Sequence, residues 1–175
     1  MLLNYLCFMT KTEIKDARLQ DAPVIRELAL KIWPAAYGKI LSTGQIEYML
    51  NKYYSVEAIC DQMTTLNYRF IILFDDAPGG FACYNKEKEG THKLQKLYVD
   101  PEKQGAGYGK TLITEVMKRA VEEGSKELIL NVNRFNKARY FYEKLGFNII
   151  DEVDLEIGNG YLMEDYIMRK ELTTQ

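Results

Sequence analysis

The chain has 175 residues, of which 47% are hydrophobic and 27% are charged, with a formal net charge of -2. This length suits one compact domain with a sizeable core. The lack of a basic excess argues against a nucleic-acid-binding surface. No apolar stretch is long enough to predict a bilayer-spanning helix, so neither nucleic acid nor membrane is expected as a partner.

The cysteines and the single histidine give no pattern of a disulfide or metal site. The chain has three cysteines, an odd number, at Cys7, Cys60 and Cys83, and no two of them show CxxC spacing. They predict neither a disulfide framework nor a structural zinc site, and they fit a reducing, cytoplasmic location. His92 cannot build a histidine-rich metal site by itself and is expected to be a partly exposed strand residue. No bound metal is therefore predicted.

The chain is expected to form a single domain over residues 10–172. Residues 1–9 are apolar but short, and they are expected to be an N-terminal extension, with disorder as one alternative. Met9 is an alternative start, which leaves open whether residues 1–8 belong to the native protein.

The first half begins with a strand predicted over residues 12–17. Asp21 is expected to cap a helix that has Pro23 in its first turn. Pro34 is expected to stop or kink that helix, and residues 43–63 to carry one or two more. The apolar face of the first helix follows i, i+3, i+4 spacing and comprises Ile25, Leu28, Ala29, Ile32 and Trp33.

A meander of three strands is predicted next. Residues 68–74 and 81–84 form a hairpin across a turn at residues 75–80. A solvated loop follows over residues 86–90. The third strand, residues 93–99, alternates in a way that leaves neither face cleanly apolar.

The second half alternates helices and strands. A helix runs to about Glu123, and a buried strand spans residues 127–132. Asn136 is expected to cap the next helix, and residues 147–156 and 161–170 to form a last hairpin. The order β, helices, βββ, α, β, α, ββ predicts a mixed α/β sheet.

A glycine-rich turn stands between the third meander strand and the helix after it. Gly105, Gly107 and Gly109 let a ligand approach the backbone closely, and the first helical N–H groups carry partial positive charge. This combination suits a phosphate or pyrophosphate. The turn does not match a Walker A loop, because Gln104 stands where that motif requires a glycine. Its glycine spacing also departs from GxGxxG, the dinucleotide-binding pattern.

Two motifs in this region match a known family. Residues 104–109 read Gln-x-x-Gly-x-Gly, and residues 138–147 read A-x-x-F-Y-E-K-L-G-F, with Asn136 ahead of them. The chain therefore resembles the GCN5-related N-acetyltransferases (GNAT) over roughly residues 12–172, most sharply over residues 94–147.

The resemblance implies an α/β (α+β) GNAT fold with a mixed, mostly antiparallel sheet of about seven strands, flanked by helices and splayed between strands 4 and 5. It implies acetyl-CoA as co-substrate, with pantetheine in the gap between the splayed strands. The implied cofactor-binding positions are Leu97, Tyr98, Val99, Gln104, Gly105, Ala106, Gly107, Tyr108, Gly109, Lys110, Asn131, Asn136 and Arg139. For Asn136 and Asn131, a purely structural capping role is the alternative.

The resemblance also implies a catalytic role for Tyr142, which matches the family's tyrosine that protonates the leaving thiolate. A phenol has a pKa near about 10, so it can donate a proton at neutral pH. Packing alone is the alternative. A backbone N–H of Leu97 or Val99 is implied as oxyanion donor. Gln95 and Lys96 stand where some members place a glutamate base, so the base stays open, with a water relay to a carboxylate such as Glu47, Glu156 or Asp165 as one route.

The acceptor is expected to be a primary amine bound between the helices of residues 33–63 and the last hairpin. Tyrosines and carboxylates concentrate there and suit a cationic amine: Tyr37, Tyr48, Tyr53, Tyr54, Tyr161, Glu47, Asp154, Glu156, Glu164 and Asp165. Residues 161–168 are similar to the polyamine (spermidine/spermine) branch. A protein N-terminus, an aminoglycoside-like amine and a non-catalytic CoA sensor remain alternatives, and a homodimer through the last hairpin is open.

Overall fold

A computed structural model describes residues 12–173, and the predicted extension over residues 1–9 lies outside this range. The strands are β1 (Glu13–Asp16), β2 (Arg69–Asp75), β3 (Ala77–Lys88), β4 (Thr91–Val99), β5 (Glu127–Asn133), β6 (Asn148–Gly158) and β7 (Tyr161–Glu171). The helices are α1 (Ala22–Tyr37), α2 (Thr43–Tyr54), α3 (Val56–Thr64), α4 (Tyr108–Glu122) and α5 (Ala138–Lys144).

The strands form one seven-stranded sheet in the order β1-β2-β3-β4-β5-β7-β6. The β4–β5 pair is parallel, and the other neighbouring strands are antiparallel. The predicted mixed, mostly antiparallel sheet is therefore confirmed. The last hairpin folds back so that β7, not β6, lies beside β5, which places residues 165–171 against that strand.

Two apolar cores cover the two faces of the sheet. In β2, Phe70 and Ile72 pack with α1, α2 and α3, whereas Ile71 and Leu73 pack with α4. Successive side chains of a strand point to opposite faces, so this fully apolar strand is buried on both sides. The two layers of helices hold β4 and β5 between them, where the sheet opens.

A β-bulge at Gln95 explains why neither face of β4 is cleanly apolar. Cys83 pairs with Lys96 and Tyr84 pairs with Leu94, so Gln95 is the extra residue. A bulge breaks the alternation and bends the strand. The pairing of β4 with β5 ends at Leu94, directly before the bulge. From there β4 pairs with β3 alone, which confirms the predicted splaying between strands 4 and 5.

Helix α1 does not stop at Pro34, as the sequence had suggested it could. Pro34 lies inside the helix, and its carbonyl accepts a hydrogen bond from the Gly38 N–H at 3.0 Å. Proline removes one helical donor, but Trp33 and Tyr37 are 2% and 8% exposed on the same face. Their burial, worth about 1.5–3 kcal/mol for each large side chain, outweighs that loss.

The turn predicted over residues 75–80 is much shorter than expected. Asp75 pairs with Ala77, so only Asp76, at φ 56°, lies between the strands. Gly80 is inside β3, where a Cβ would stand 2.6 Å from the Tyr98 carbonyl oxygen. The loop predicted over residues 86–90 is also wrong in length, because β3 continues to Lys88.

His92 is buried and not partly exposed as predicted. It is 1% exposed, its Nδ1 lies 2.6 Å from Ser125 Oγ, and its Nε2 lies 3.3 Å from Glu123 Oε2. Burial lowers the pKa of His92. The imidazole joins the start of β4 to the end of α4, a contact between residues too distant in sequence to be read from a local pattern.

Within residues 12–173, no helix combines the length and apolar character that a membrane crossing requires.

Candidate active site

The larger of two adjoining cavities opens where β4 and β5 separate. It has a volume of about 740 Å³ and extends to the N-terminus of α4 and to α5. The predicted site residues that line it are Leu97, Tyr98, Val99, Gln104, Gly105, Gly107, Tyr108, Gly109, Lys110, Asn131, Asn136 and Tyr142. We call this space the cofactor cleft.

Two predicted cofactor positions are not among the residues that line the cofactor cleft. Ala106 is exposed in the loop beside it. Arg139 pairs with Glu143 at 3.5 Å and lies over the rings of Tyr140 and Tyr166. These contacts occupy its guanidinium outside the cleft, so the structure does not place Arg139 at the predicted site.

The glycine turn has the backbone geometry of an anion site. Gly105 and Gly107 have φ values of 85° and 86°, and a Cβ at either would meet no atom within 4 Å. Glycine is therefore required by the left-handed backbone and not by crowding. The first turn of α4 closes with the Thr111 N–H donating to the Gly107 carbonyl at 3.0 Å. The N–H groups of Tyr108 to Lys110 precede this bond and suit a phosphate.

Side chains far apart in sequence hold the glycine turn in place. Lys103 Nζ donates to the Asp75 carbonyl at 2.8 Å and lies 3.3 Å from its Oδ2, to which the Tyr108 hydroxyl also donates. That bond raises the pKa of Tyr108. Lys31 of α1 pairs with Asp100 at 2.8 Å. Sequence reasoning missed Asp75 and Lys31, because no local pattern links them to the glycine turn.

Asn136 begins the first turn of α5, one residue earlier than a formal cap. Lys137 occupies the N-cap position, but the Asn136 Oδ1 accepts the Ala138 N–H at 2.9 Å. The capping bond expected of Asn136 therefore exists at a shifted position. The same residue lines the cofactor cleft.

Tyr142 lies on α5 with its ring in the apolar core that packs α4 against the sheet. It is 7% exposed, and its ring centroid lies 5.2 Å from that of Phe141 and 5.8 Å from that of Phe147. Burial raises the pKa of Tyr142 above its ordinary value. The phenol therefore stays protonated at neutral pH and can donate a proton into the cofactor cleft.

The smaller cavity, of about 240 Å³, adjoins the cofactor cleft. The two share Tyr37, Leu94, Gln95, Lys96, Tyr98 and Asn131. Trp33, Tyr53 and Tyr54 add aromatic walls, and Asp165 adds a carboxylate. We call this space the acceptor cavity, because it meets the cofactor cleft at the bulge of β4.

Several residues expected near the acceptor do not line the acceptor cavity. Tyr48 packs against Tyr161 at 5.5 Å and donates to the Ile157 carbonyl at 2.9 Å. Arg134 binds the carboxylates of Asp154 and Glu164. Glu47 and Glu156 are exposed and also lie outside the lining.

Lys96 borders both spaces, but its ammonium is already bound. Its Nζ donates to Gln62 Oε1 at 2.7 Å and lies 5.4 Å from the Tyr54 ring centre and 5.6 Å from that of Phe70. Burial lowers the pKa of Lys96. Lys96, one of the two residues that stand where the resemblance implies a glutamate base, is therefore engaged by Gln62.

Comparisons with known proteins identify the family of this chain. The family model described as "Acetyltransferase (GNAT) domain" matches residues 39–169. Spermidine N(1)-acetyltransferase of Thermoplasma acidophilum is 30% identical over 158 residues, covering 87% of this chain and 95% of the relative. The ribosomal protein bS18-alanine N-acetyltransferase of Haemophilus influenzae is 40% identical over 73 residues, which span 41% of this chain and 49% of that protein.

A solved structure supports the same assignment. The PaiA N-acetyltransferase of Thermoplasma acidophilum, in complex with coenzyme A, superposes with a TM-score of 0.77 at 29% identity, covering 92% of this chain and 99% of that one. The chain belongs to the GNAT acetyltransferase family. It is an acyltransferase of the acetyl-CoA-dependent N-acetyltransferase class.

Proposed function

We propose that this protein transfers the acetyl group of acetyl-CoA to the primary amine of a small, polyamine-like cation. The observation that carries the proposal is that the cofactor cleft and the acceptor cavity meet at the bulge of β4. One space offers an anion site and an open strand edge, and the other offers aromatic walls and a carboxylate. A thioester bound in one space and an amine bound in the other can approach each other where the two spaces meet.

The cofactor cleft fits coenzyme A in three ways. The glycine turn presents N–H groups to a pyrophosphate. Beyond Gln95, β4 pairs only with β3, so alternate backbone groups of residues 97–99 face the gap and can bind the amides of pantetheine. The structural relative from Thermoplasma acidophilum contains coenzyme A. We propose the cleft-lining residues of the predicted set as the residues that hold it.

The proposed reaction is a direct attack. The lone pair of the neutral amine forms a bond to the thioester carbonyl carbon, and the C–S bond then breaks. An N–H of Leu97 or Val99 stabilises the oxyanion. Tyr142 gives its proton to the leaving thiolate and regains one from solvent, and the nitrogen, which is cationic after its attack, releases a proton to solvent. The protein contributes mainly orientation and fixed dipoles.

The preference for a polyamine-like acceptor rests on two features. Aromatic faces and a carboxylate line the acceptor cavity, as suits an alkylammonium group. A relative that covers most of this chain is a spermidine acetyltransferase. Lys93 and Lys96 also border the cavity, but the Lys96 ammonium donates a hydrogen bond to Gln62.

Two further properties belong to the proposal. A cytoplasmic location is proposed from the cysteine pattern, and a homodimer through the β6–β7 hairpin is proposed from the resemblance.

Thermal unfolding with ligands is the first test. Acetyl-CoA at about 100 times its dissociation constant is expected to add about 2.7 kcal/mol, which raises Tm by roughly 5–10 °C, while ATP and NADPH serve as controls. Thiol release is then measured with polyamines, aminoglycosides and peptides with free N-termini. Release with polyamines supports the proposal. A shift without release from any amine identifies a coenzyme A sensor instead, and release with peptides alone identifies a protein N-terminal acetyltransferase.

A further inference from the structure

Asp165 is a buried carboxylate with one oxygen left without a partner. It lies on β7 opposite Asn133 and is 6% exposed. Within the part of the chain that the structure describes, its Oδ1 has no hydrogen-bond partner. Burying a polar atom without a partner is costly, so such an atom in a cavity wall indicates a ligand.

The charged groups around Asp165 do not satisfy that oxygen. Arg134 binds Glu152 at 3.1 Å and Glu164 at 3.3 Å. Lys93 lines the same cavity and acts on Asp165 through space. Among the ion pairs of residues 12–173, neither cation is bound to Asp165. Tyr37, which also interacts electrostatically with Asp165, bonds to Tyr98 at 3.3 Å.

Asn131 places this carboxylate at the boundary of the two spaces. Its Nδ2 lies 3.5 Å from the Oδ2 of Asp165, and Asn131 itself borders both the cofactor cleft and the acceptor cavity. The Oδ2 therefore contacts protein, while the Oδ1 has no protein partner among the described residues, in a side chain that lines the acceptor cavity. Burial raises the pKa of Asp165, and a bound cation would counteract that shift.

We propose that Asp165 determines acceptor specificity, with its Oδ1 accepting a hydrogen bond from an alkylammonium group in the acceptor cavity. The class of acceptor this selects is an alkyl diamine or polyamine, in which a second nitrogen stays charged while the first reacts. This assignment rests on the proposed function for its reaction, but the binding site itself can be measured without turnover.

The test is amine binding to protein saturated with coenzyme A, measured by titration calorimetry. Asp165→Asn keeps the volume and removes the charge. Losing a charged hydrogen bond is expected to weaken 1,4-diaminobutane binding by about 10- to 100-fold. Glu156→Gln is the matched control, since it removes a carboxylate from the same hairpin outside the cavity and is expected to change binding less than twofold. Acetyl-CoA affinity stays within twofold in both variants.

A second comparison uses the wild-type protein alone. It is expected to bind 1,4-diaminobutane at least about 10-fold more tightly than butylamine, and Asp165→Asn to remove that difference. Equal wild-type affinities, or an Asp165→Asn variant that keeps the preference, overturn the assignment of Asp165. If the preference depends on Asp165 but thiol release is absent, the ammonium site stands and the proposed transferase reaction falls.

Discussion

Replacing Tyr142 by phenylalanine tests the proposed proton donor most directly. The change removes one oxygen and keeps the ring between Phe141 and Phe147. Among the described residues no hydrogen bond ties the Tyr142 hydroxyl to the protein, so its removal orphans no partner. The expected loss of unfolding free energy is below about 1 kcal/mol, or a fall in Tm of less than about 4 °C.

Turnover is expected to respond much more strongly than stability. A general acid contributes about 10²- to 10⁴-fold to rate, which corresponds to roughly 2.7–5.4 kcal/mol of barrier. The loss is expected in kcat, with little change in the affinity for acetyl-CoA. Because burial raises the pKa of Tyr142, its active, protonated form persists as pH rises past the usual value of about 10.

The assay is thiol release under saturating acetyl-CoA, with cofactor affinity and Tm measured on the same samples. Tyr140→Phe is the control, because Tyr140 lies on the same helix and is 52% exposed. It is expected to match wild type in kcat within about twofold. A Tyr142→Phe variant that retains more than a tenth of wild-type kcat would refute the reasoning and leave Tyr142 as a packing residue.

Three further perturbations have defined outcomes. Gly107→Ala forces alanine to φ 86° and is expected to cost about 1–2 kcal/mol and to weaken acetyl-CoA binding in calorimetry; Gly124→Ala, at φ 80° outside the cleft, should lose stability alone. Because burial lowers the pKa of His92 in the folded protein, its imidazole is protonated at a higher pH in the unfolded chain than in the folded one. Unfolding free energy in urea should therefore fall as pH drops below about 6.5, and His92→Gln should flatten that slope. Phe147→Ala, at 2% exposure, should cost about 3–5 kcal/mol in thermal unfolding, whereas Phe135→Ala, at 64% exposure, should cost under about 0.5 kcal/mol.

Each of these three has an opposing result. Equal cofactor affinity in Gly107→Ala and wild type would remove the glycine turn from the binding site. An unchanged pH slope in His92→Gln would show that other groups govern acid stability. Similar Tm values for Phe147→Ala and Phe135→Ala would show that Phe147 does not stabilise the core between α4 and the sheet.

Local patterns in the sequence predicted most of the elements and the anion site. The apolar run of β2, the 3.6-residue period of α4 and the glycines of residues 105–109 depend on neighbours within a few positions. Errors arose where a local rule met a tertiary contact. Pro34 was expected to stop or kink the first helix, but α1 continues past it with Trp33 and Tyr37 buried on the same face.

The sequence by itself determined the family resemblance, the glycine turn and the tyrosine proposed as acid, because each is written in short, contiguous motifs. Only the tertiary structure decided where the sheet opens, since the bulge at Gln95 appears from the register of β4 against β3. It also decided that Arg139 contacts Glu143 and Tyr166 and is not among the residues that line the cofactor cleft, and that Asp165 meets Asn131 at the edge of that cleft. Asp165 and Asn131 come together because β7 lies beside β5. Such long-range strand pairing leaves no periodic or local signal in the chain.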